Sequence, residues 1–147
     1  MKISDFLFAD DAMVELRASD KEGLLRALAQ HAASRLKAPH ETFFAELMKR
    51  EALGSTGLGG GVAIPHARFD MVMQPFAVLA KLKQPIDFNA IDDQPVDLAL
   101  LLLLPARSQG DQLGALACAA RKLRSPEELA RLRRAKTAAE LYAIAAE

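Results

Sequence analysis

The chain has 147 residues, a length that suits a single domain over 1–147. Apolar residues make up 51% and charged residues 26%, the balance of an ordinary soluble globular protein. Lys plus Arg and Asp plus Glu each total 19, and this even charge argues against a general electrostatic grip on nucleic acid or an acidic membrane.

The N-terminal stretch Met1 to Asp11 carries one lysine and three acids without a long apolar run, so it is not a secretory signal. Met13 to Leu16 is a weak strand candidate. Ser19-Asp20-Lys21-Glu22 has the pattern of a capping box, followed on one face by Leu24, Leu25, Leu28, Ala32 and Leu36. This predicts an amphipathic helix over about 20–37. A second helix is expected from Pro39, through Phe43, Phe44, Leu47 and Met48, to about Leu53, with Gly54 as its stop.

Five of the eight glycines lie between Gly54 and Gly61. Glycine lets the main chain approach a ligand closely, and successive bare N–H groups can form a nest for an anion. Ser55 and Thr56 add hydroxyl donors. Arg50, one turn before the end of the second helix, is placed to reach over the loop with a fork suited to phosphate. The loop lacks the Gly-Lys-Ser/Thr ending of a nucleotide-binding loop, and no clear strand leads into it. His66 follows Ile64-Pro65, and proline stiffens the backbone that presents it. A neutral imidazole can act as a nucleophile and hold a phosphoryl group. Such a transfer needs mainly positioning and charge stabilisation, which the loop, Arg50 and Arg68 offer. A lone histidine beside a glycine loop is, however, more often a turn residue or a satisfied polar group, and the residues alone leave both readings open.

Phe76 to Lys83 alternates, with Phe76, Val78, Ala80 and Leu82 on one side, and predicts a strand. Val96 to Leu104 is continuously apolar and predicts a central strand buried on both faces. Pro75, Pro85 and Pro95 are expected at strand ends. The longest apolar run, Leu98 to Pro105, is far short of the ~20 residues of a membrane span, so a cytoplasmic protein with no direct membrane insertion is expected. Three helix starts follow, at Ser108 with Asp111, at Ser125-Pro126-Glu127-Glu128 and at Thr137-Ala138-Ala139-Glu140. The fold class is therefore α/β, a mixed sheet covered by helices.

The remaining polar features have plain structural readings. His31 lies near an apolar stripe, His40 opens a helix, and the three histidines show no metal-ligand spacing. Asp92-Asp93 reads as a turn. Arg131, Arg133, Arg134 and Lys136 read as a solvated helix face, with docking of an acidic partner as the other possibility. Cys118, the single cysteine, excludes an intrachain disulfide and reads as a small apolar core residue.

The spaced elements together resemble a known family. Arg50-Glu51, Gly54-Ser55-Thr56-Gly57, Gly61-Val62-Ala63-Ile64-Pro65-His66, Pro85-Ile86-Asp87-Phe88, Ala90-Ile91-Asp92, Gln94-Pro95-Val96-Asp97 and Ala139-Glu140-Leu141-Tyr142 are similar to the fructose/mannitol-type IIA components of the bacterial phosphoenolpyruvate-dependent phosphotransferase system. Within that family the nitrogen-regulatory IIA branch is the nearest in kind. The resemblance covers nearly the whole chain. It implies a mixed sheet flanked by helices on both faces, no metal or organic cofactor, and a phosphoryl group accepted on His66 from an HPr-type carrier and steadied by Arg50. It also implies downstream regulatory protein targets and leaves the oligomeric state open. One position departs: where relatives carry a second histidine before leucine, this chain has Gln112-Leu113, and glutamine cannot carry charge. Slower transfer or a differently held phosphate is expected from that change. Two other functions fit the same family: a sugar-specific IIA component passing phosphate to a cysteine on a IIB partner, and a regulatory binding protein that is no longer phosphorylated. The chain's end at Glu147, without an attached IIB or membrane domain, favours the free-standing regulatory form.

Overall fold

In the computed structural model, residues 1–107 and 114–147 are described in full, and 109–113 only by their place in a helix. The elements run β1 (Ala12–Leu16), α1 (Lys21–Leu36), α2 (His40–Ala52), β2 (Gly57–Gly59), β3 (Val62–Ala63), β4 (His66–Phe69), β5 (Phe76–Ile86), β6 (Val96–Pro105), α3 (Gln109–Lys122), α4 (Pro126–Arg134) and α5 (Ala138–Ala145). Two 3-10 turns, Ile3–Asp5 and Ala9–Asp11, precede β1.

The apolar run of β6 puts it at the centre of one mixed sheet. It pairs antiparallel with β5 on one side, and parallel with β3 and then β4 on the other. Beyond β5 lies β1, parallel to it; beyond β3 lies β2, antiparallel. Because side chains alternate along a strand, β6 feeds two cores. Ala99, Leu101 and Leu103 pack under α1 and α2. Leu98, Leu100, Leu102 and Leu104 face the opposite core, built with α3, α4, α5 and the N-terminal turns. Each of these leucines is at most 3% exposed, and burying one stabilises the fold by about 2 kcal/mol. Helices thus cover both faces, as the sequence predicts.

The caps follow the local chemistry, with one shift. The N-cap of α1 is Asp20, not Ser19: its carboxylate accepts the Gly23 N–H at 2.8 Å. Ser125 and Thr137 cap α4 and α5 by accepting the N–H groups of Glu128 and Glu140. The expected start at Ser108 lies outside the described residues. Pro85 sits inside β5 rather than at its end, in the stretch where pairing with β6 lapses between Lys81↔Leu98 and Ile86↔Val96, so its missing N–H leaves no gap in the ladder.

The larger correction is the glycine segment. It holds three short strands, β2, β3 and β4, where the sequence suggests an irregular loop. Two to four residues give no readable alternation. The strand character of β3 and β4 comes from the neighbouring β6, onto which Val62 to Phe69 is laid in register with Leu98 to Pro105, and that of β2 from its pairing with β3. His66 therefore opens a strand that is hydrogen-bonded to the centre of the sheet. Among the described residues no helix is long and apolar enough to cross a membrane.

Candidate active site

The last turn of α2 sends two adjacent side chains in different directions. Arg50 turns outward, and its Nη1 donates to the Gly54 carbonyl at 2.8 Å. Glu51 turns inward and is buried. Its carboxylate accepts from Lys21 Nζ at 2.8 Å, from the Thr56 N–H at 3.1 Å and from the Thr56 hydroxyl. Lys21 in turn stands 4.7 Å from the centre of the Phe88 ring. A buried carboxylate is tolerated only when paired and hydrogen-bonded, and here three donors meet that need.

The loop that follows is braced by side chains and a carbonyl around it, and three of its N–H groups are spent there. The Thr56 N–H is spent on Glu51, the Gly57 N–H on Ser55 Oγ at 3.1 Å and the Gly60 N–H on Asp92 at 2.9 Å. The Ser55 hydroxyl donates to the Phe88 carbonyl at 2.9 Å, and the Thr56 hydroxyl donates to Glu51. Ser55 and Thr56 thus shape the loop in this structure. Gly57 is required by close approach, because a Cβ there would lie 2.8 Å from the Ala90 Cβ. Asp92, in its expected turn, accepts from both Gly60 and Gln94, and these bonds hold its carboxyl below the usual value.

Arg133 departs from its expected place on a solvated face. From α4 it reaches the glycine loop, donating to the Gly60 carbonyl at 2.6 Å and gripping both oxygens of Asp97 at 2.9 Å. Lys81 holds the end of α4 by donating to the carbonyls of Arg133 and Ala135. Arg131 is tied to Glu147. Spacing marked these residues as one basic cluster, and nothing in it signals that one member points the other way.

These braces fix what comes next. Gly61 O accepts from Asp97 N and Leu98 N, the Ile64 N–H donates to Thr56 O at 3.0 Å, and Pro65 O accepts from Leu102 N at 2.9 Å. His66 Nδ1 then lies 2.8 Å from the Ile64 carbonyl. A carbonyl can only accept, so Nδ1 carries the proton and Nε2 keeps its lone pair. The imidazole pKa is lowered, first by burial, and also by the positive charges of Arg50 and Arg68. The Ile64 bond and the Glu51 carboxylate pull the other way. The ring is therefore neutral at physiological pH, with Nε2 unprotonated.

His66 lines a surface depression of about 440 Å³ together with Glu46, Lys49, Arg50, Leu53 and Arg68. Three cations to one carboxylate make it a place for an anion. Of the residues expected at the site, Arg50 and His66 share this depression. Gln112 lies outside the residues whose side chains are described. Glu51 and Arg133 were not marked as site residues by the sequence. For Glu51 the available signal was its place beside Arg50 in a match extending into the glycine loop. Among the described residues no group of histidine, cysteine, aspartate or glutamate side chains could hold a metal ion.

Residues 5–147 match the family model for the phosphoenolpyruvate-dependent sugar phosphotransferase system, EIIA 2. The chain belongs to this family. A nitrogen regulatory protein of Bradyrhizobium diazoefficiens is 38% identical over 146 residues, which cover 99% of this chain and 95% of that protein. The crystal structure of nitrogen regulatory protein IIA-Ntr from Neisseria meningitidis superposes with a TM-score of 0.91 at 32% identity, covering 97% of each chain. IIA mannitol from Escherichia coli shares the fold, with a TM-score of 0.77 at 18% identity over 95% of this chain and 98% of that one. Proteins of the EIIA 2 family are phosphotransfer components.

Proposed function

We propose that this EIIA 2 protein is a cytoplasmic phosphoryl carrier of the regulatory, nitrogen type, and that His66 Nε2 accepts the phosphoryl group from the phosphohistidine of an HPr-type protein. The observation that carries the reading is the Nδ1–Ile64 bond, which leaves Nε2 unprotonated on a ring that lines the same depression as Arg50. The Nε2 lone pair attacks phosphorus, and the bond from phosphorus to the donor's nitrogen breaks with its electron pair leaving on that nitrogen. The proton stays on Nδ1 throughout, donated to the Ile64 carbonyl. Charge on the transferring oxygens is met by Arg50 and Arg68, as phosphoryl transfer requires. A phosphate of nearly two negative charges on this surface then changes which partners dock there. Identity above 30% to nitrogen regulatory proteins over almost the full chain supports the regulatory role.

The test is transfer of labelled phosphate from phosphoenolpyruvate through the first enzyme of the system and its HPr-type carrier. Acid-labile, base-stable label on the parent and none on His66→Ala is the expected result. An unlabelled parent beside a labelled relative would sink the proposal and favour a binding protein that has lost transfer. Gln112→His in the same assay is expected to speed labelling or change the phosphohistidine lifetime. Unchanged values for both would remove Gln112 from the account.

A further inference from the structure

Seven large apolar side chains stand exposed among the described residues, and four of them, Phe8, Leu36, Met71 and Met73, meet at one place that shares no lining residue with the depression of His66. They rim a cavity of about 490 Å³ whose floor includes the buried Phe43 and Phe76. Small-molecule sites have this size and this mainly apolar, aromatic lining with few polar groups. The lining has one charged side chain, Lys37, which makes no salt bridge among the described residues. Nothing in the proposed phosphotransfer uses this cavity.

Its walls are formed in advance. Phe8 leads into the 3-10 turn Ala9–Asp11, and the fully buried Asp11 is tied to α1 by His31 Nε2 at 2.9 Å and Arg35 Nε at 2.8 Å. Lys37 occupies the left-handed cap of α1 at φ 56°, held by its N–H on the Ala33 carbonyl. The opposite wall, 71–75, is the turn that leaves β4, pinned by the Val72 N–H on the Phe69 carbonyl. A site that needs no rearrangement loses less entropy on binding.

We propose that this cavity binds a small apolar acid, its hydrocarbon or aromatic body between Phe43, Phe76 and Met71 and its anion at Lys37. Charge complementarity selects the acid over a base or a neutral molecule. Size argues against a protein occupant: a stable interface engages about 20–30 residues a side, whereas 12 concave residues line this cavity.

The experiment follows backbone amide shifts of the full chain during titration with octanoate, octan-1-ol and octylammonium. The expected result is saturable 1:1 binding of octanoate with shifts confined to 36–39 and 71–76. Octanoate should bind about tenfold tighter than octylammonium, since one gains an attraction and the other meets a repulsion. Lys37→Glu should reverse that order, and Met73→Asp at the rim should weaken octanoate severalfold; both residues are exposed, so neither change threatens the fold. Non-saturating shifts spread over the surface, or equal affinity for the three probes, would overturn the proposal. So would sedimentation of the unliganded chain showing self-association abolished by Met73→Asp, which would assign the patch to a second copy.

Discussion

Glu51 joins α1, α2 and the glycine loop through one buried carboxylate. Alanine there removes the acceptor for Lys21 Nζ, the Thr56 N–H and the Thr56 hydroxyl together. The Glu51 side chain is 4% exposed and that of Lys21 18%, so water replaces the lost bonds poorly. Breaking a buried pair by removing one partner costs about 3–5 kcal/mol. The lower end applies, because Lys21 keeps some water and its contact with Phe88. About 3 kcal/mol corresponds to a fall in Tm of roughly 6–12 °C for a chain of this length. Glu51→Gln keeps an oxygen acceptor and should cost about 1–2 kcal/mol. Either variant also removes the negative charge that supports the His66 imidazolium, so His66 should titrate at a lower pH than in the parent. Urea denaturation followed by circular dichroism reads the first effect, and an NMR titration of the His66 ring reads the second. A Glu51→Ala protein within about 0.5 kcal/mol of the parent, with His66 titrating unchanged, would refute the reasoning.

Stability should depend on pH through His66 itself. Its folded pKa lies below the ordinary value of 6.5, so the native state binds fewer protons than the unfolded chain between the two values. The His66 contribution is therefore neutral above the unfolded value, turns unfavourable as pH falls through it, and levels off below the folded value; subtracting the stability profile of His66→Gln isolates it. Arg50→Ala should slow phosphorylation from the HPr-type donor by about 10²-fold without changing the circular dichroism, because its structural bond to Gly54 is exposed. Arg50→Lys should recover part of that rate, as a point charge without the fork. Gly61→Ala should cost about 1–3 kcal/mol in denaturant, since Gly61 holds φ 80° and a Cβ there would lie 2.5 Å from Arg133 Nη2. Repeating it in an Arg133→Ala background should recover the clash but not the backbone strain.

The fold was legible where a signal was long or chemically marked. The unbroken leucines of β6 could only be a central strand, and the start signals of α1, α4 and α5 each sit within a residue of a real cap. The strands β2, β3 and β4 were not legible, because their geometry is imposed by pairing, of β3 and β4 on β6 and of β2 on β3, rather than by their own residues. At the site, the glycines, Arg50 and His66 were visible as residue types suited to phosphate. What those glycines do was not visible. The N–H groups of Gly57 and Gly60 are turned onto Ser55 and Asp92, 2 and 32 positions away, and the Thr56 N–H beside them onto Glu51. Arg133 reaches Gly60 across 73 positions, a distance over which spacing carries no information.

The most direct test of the central claim is which ring nitrogen takes the phosphate. Two-bond proton–nitrogen correlations on His66 in the phosphorylated chain distinguish the two. Phosphorus on Nε2, with the Nδ1 proton retained, is the predicted result, because the Ile64 carbonyl holds Nδ1 protonated. Phosphorus on Nδ1, or on any residue other than His66, would contradict it.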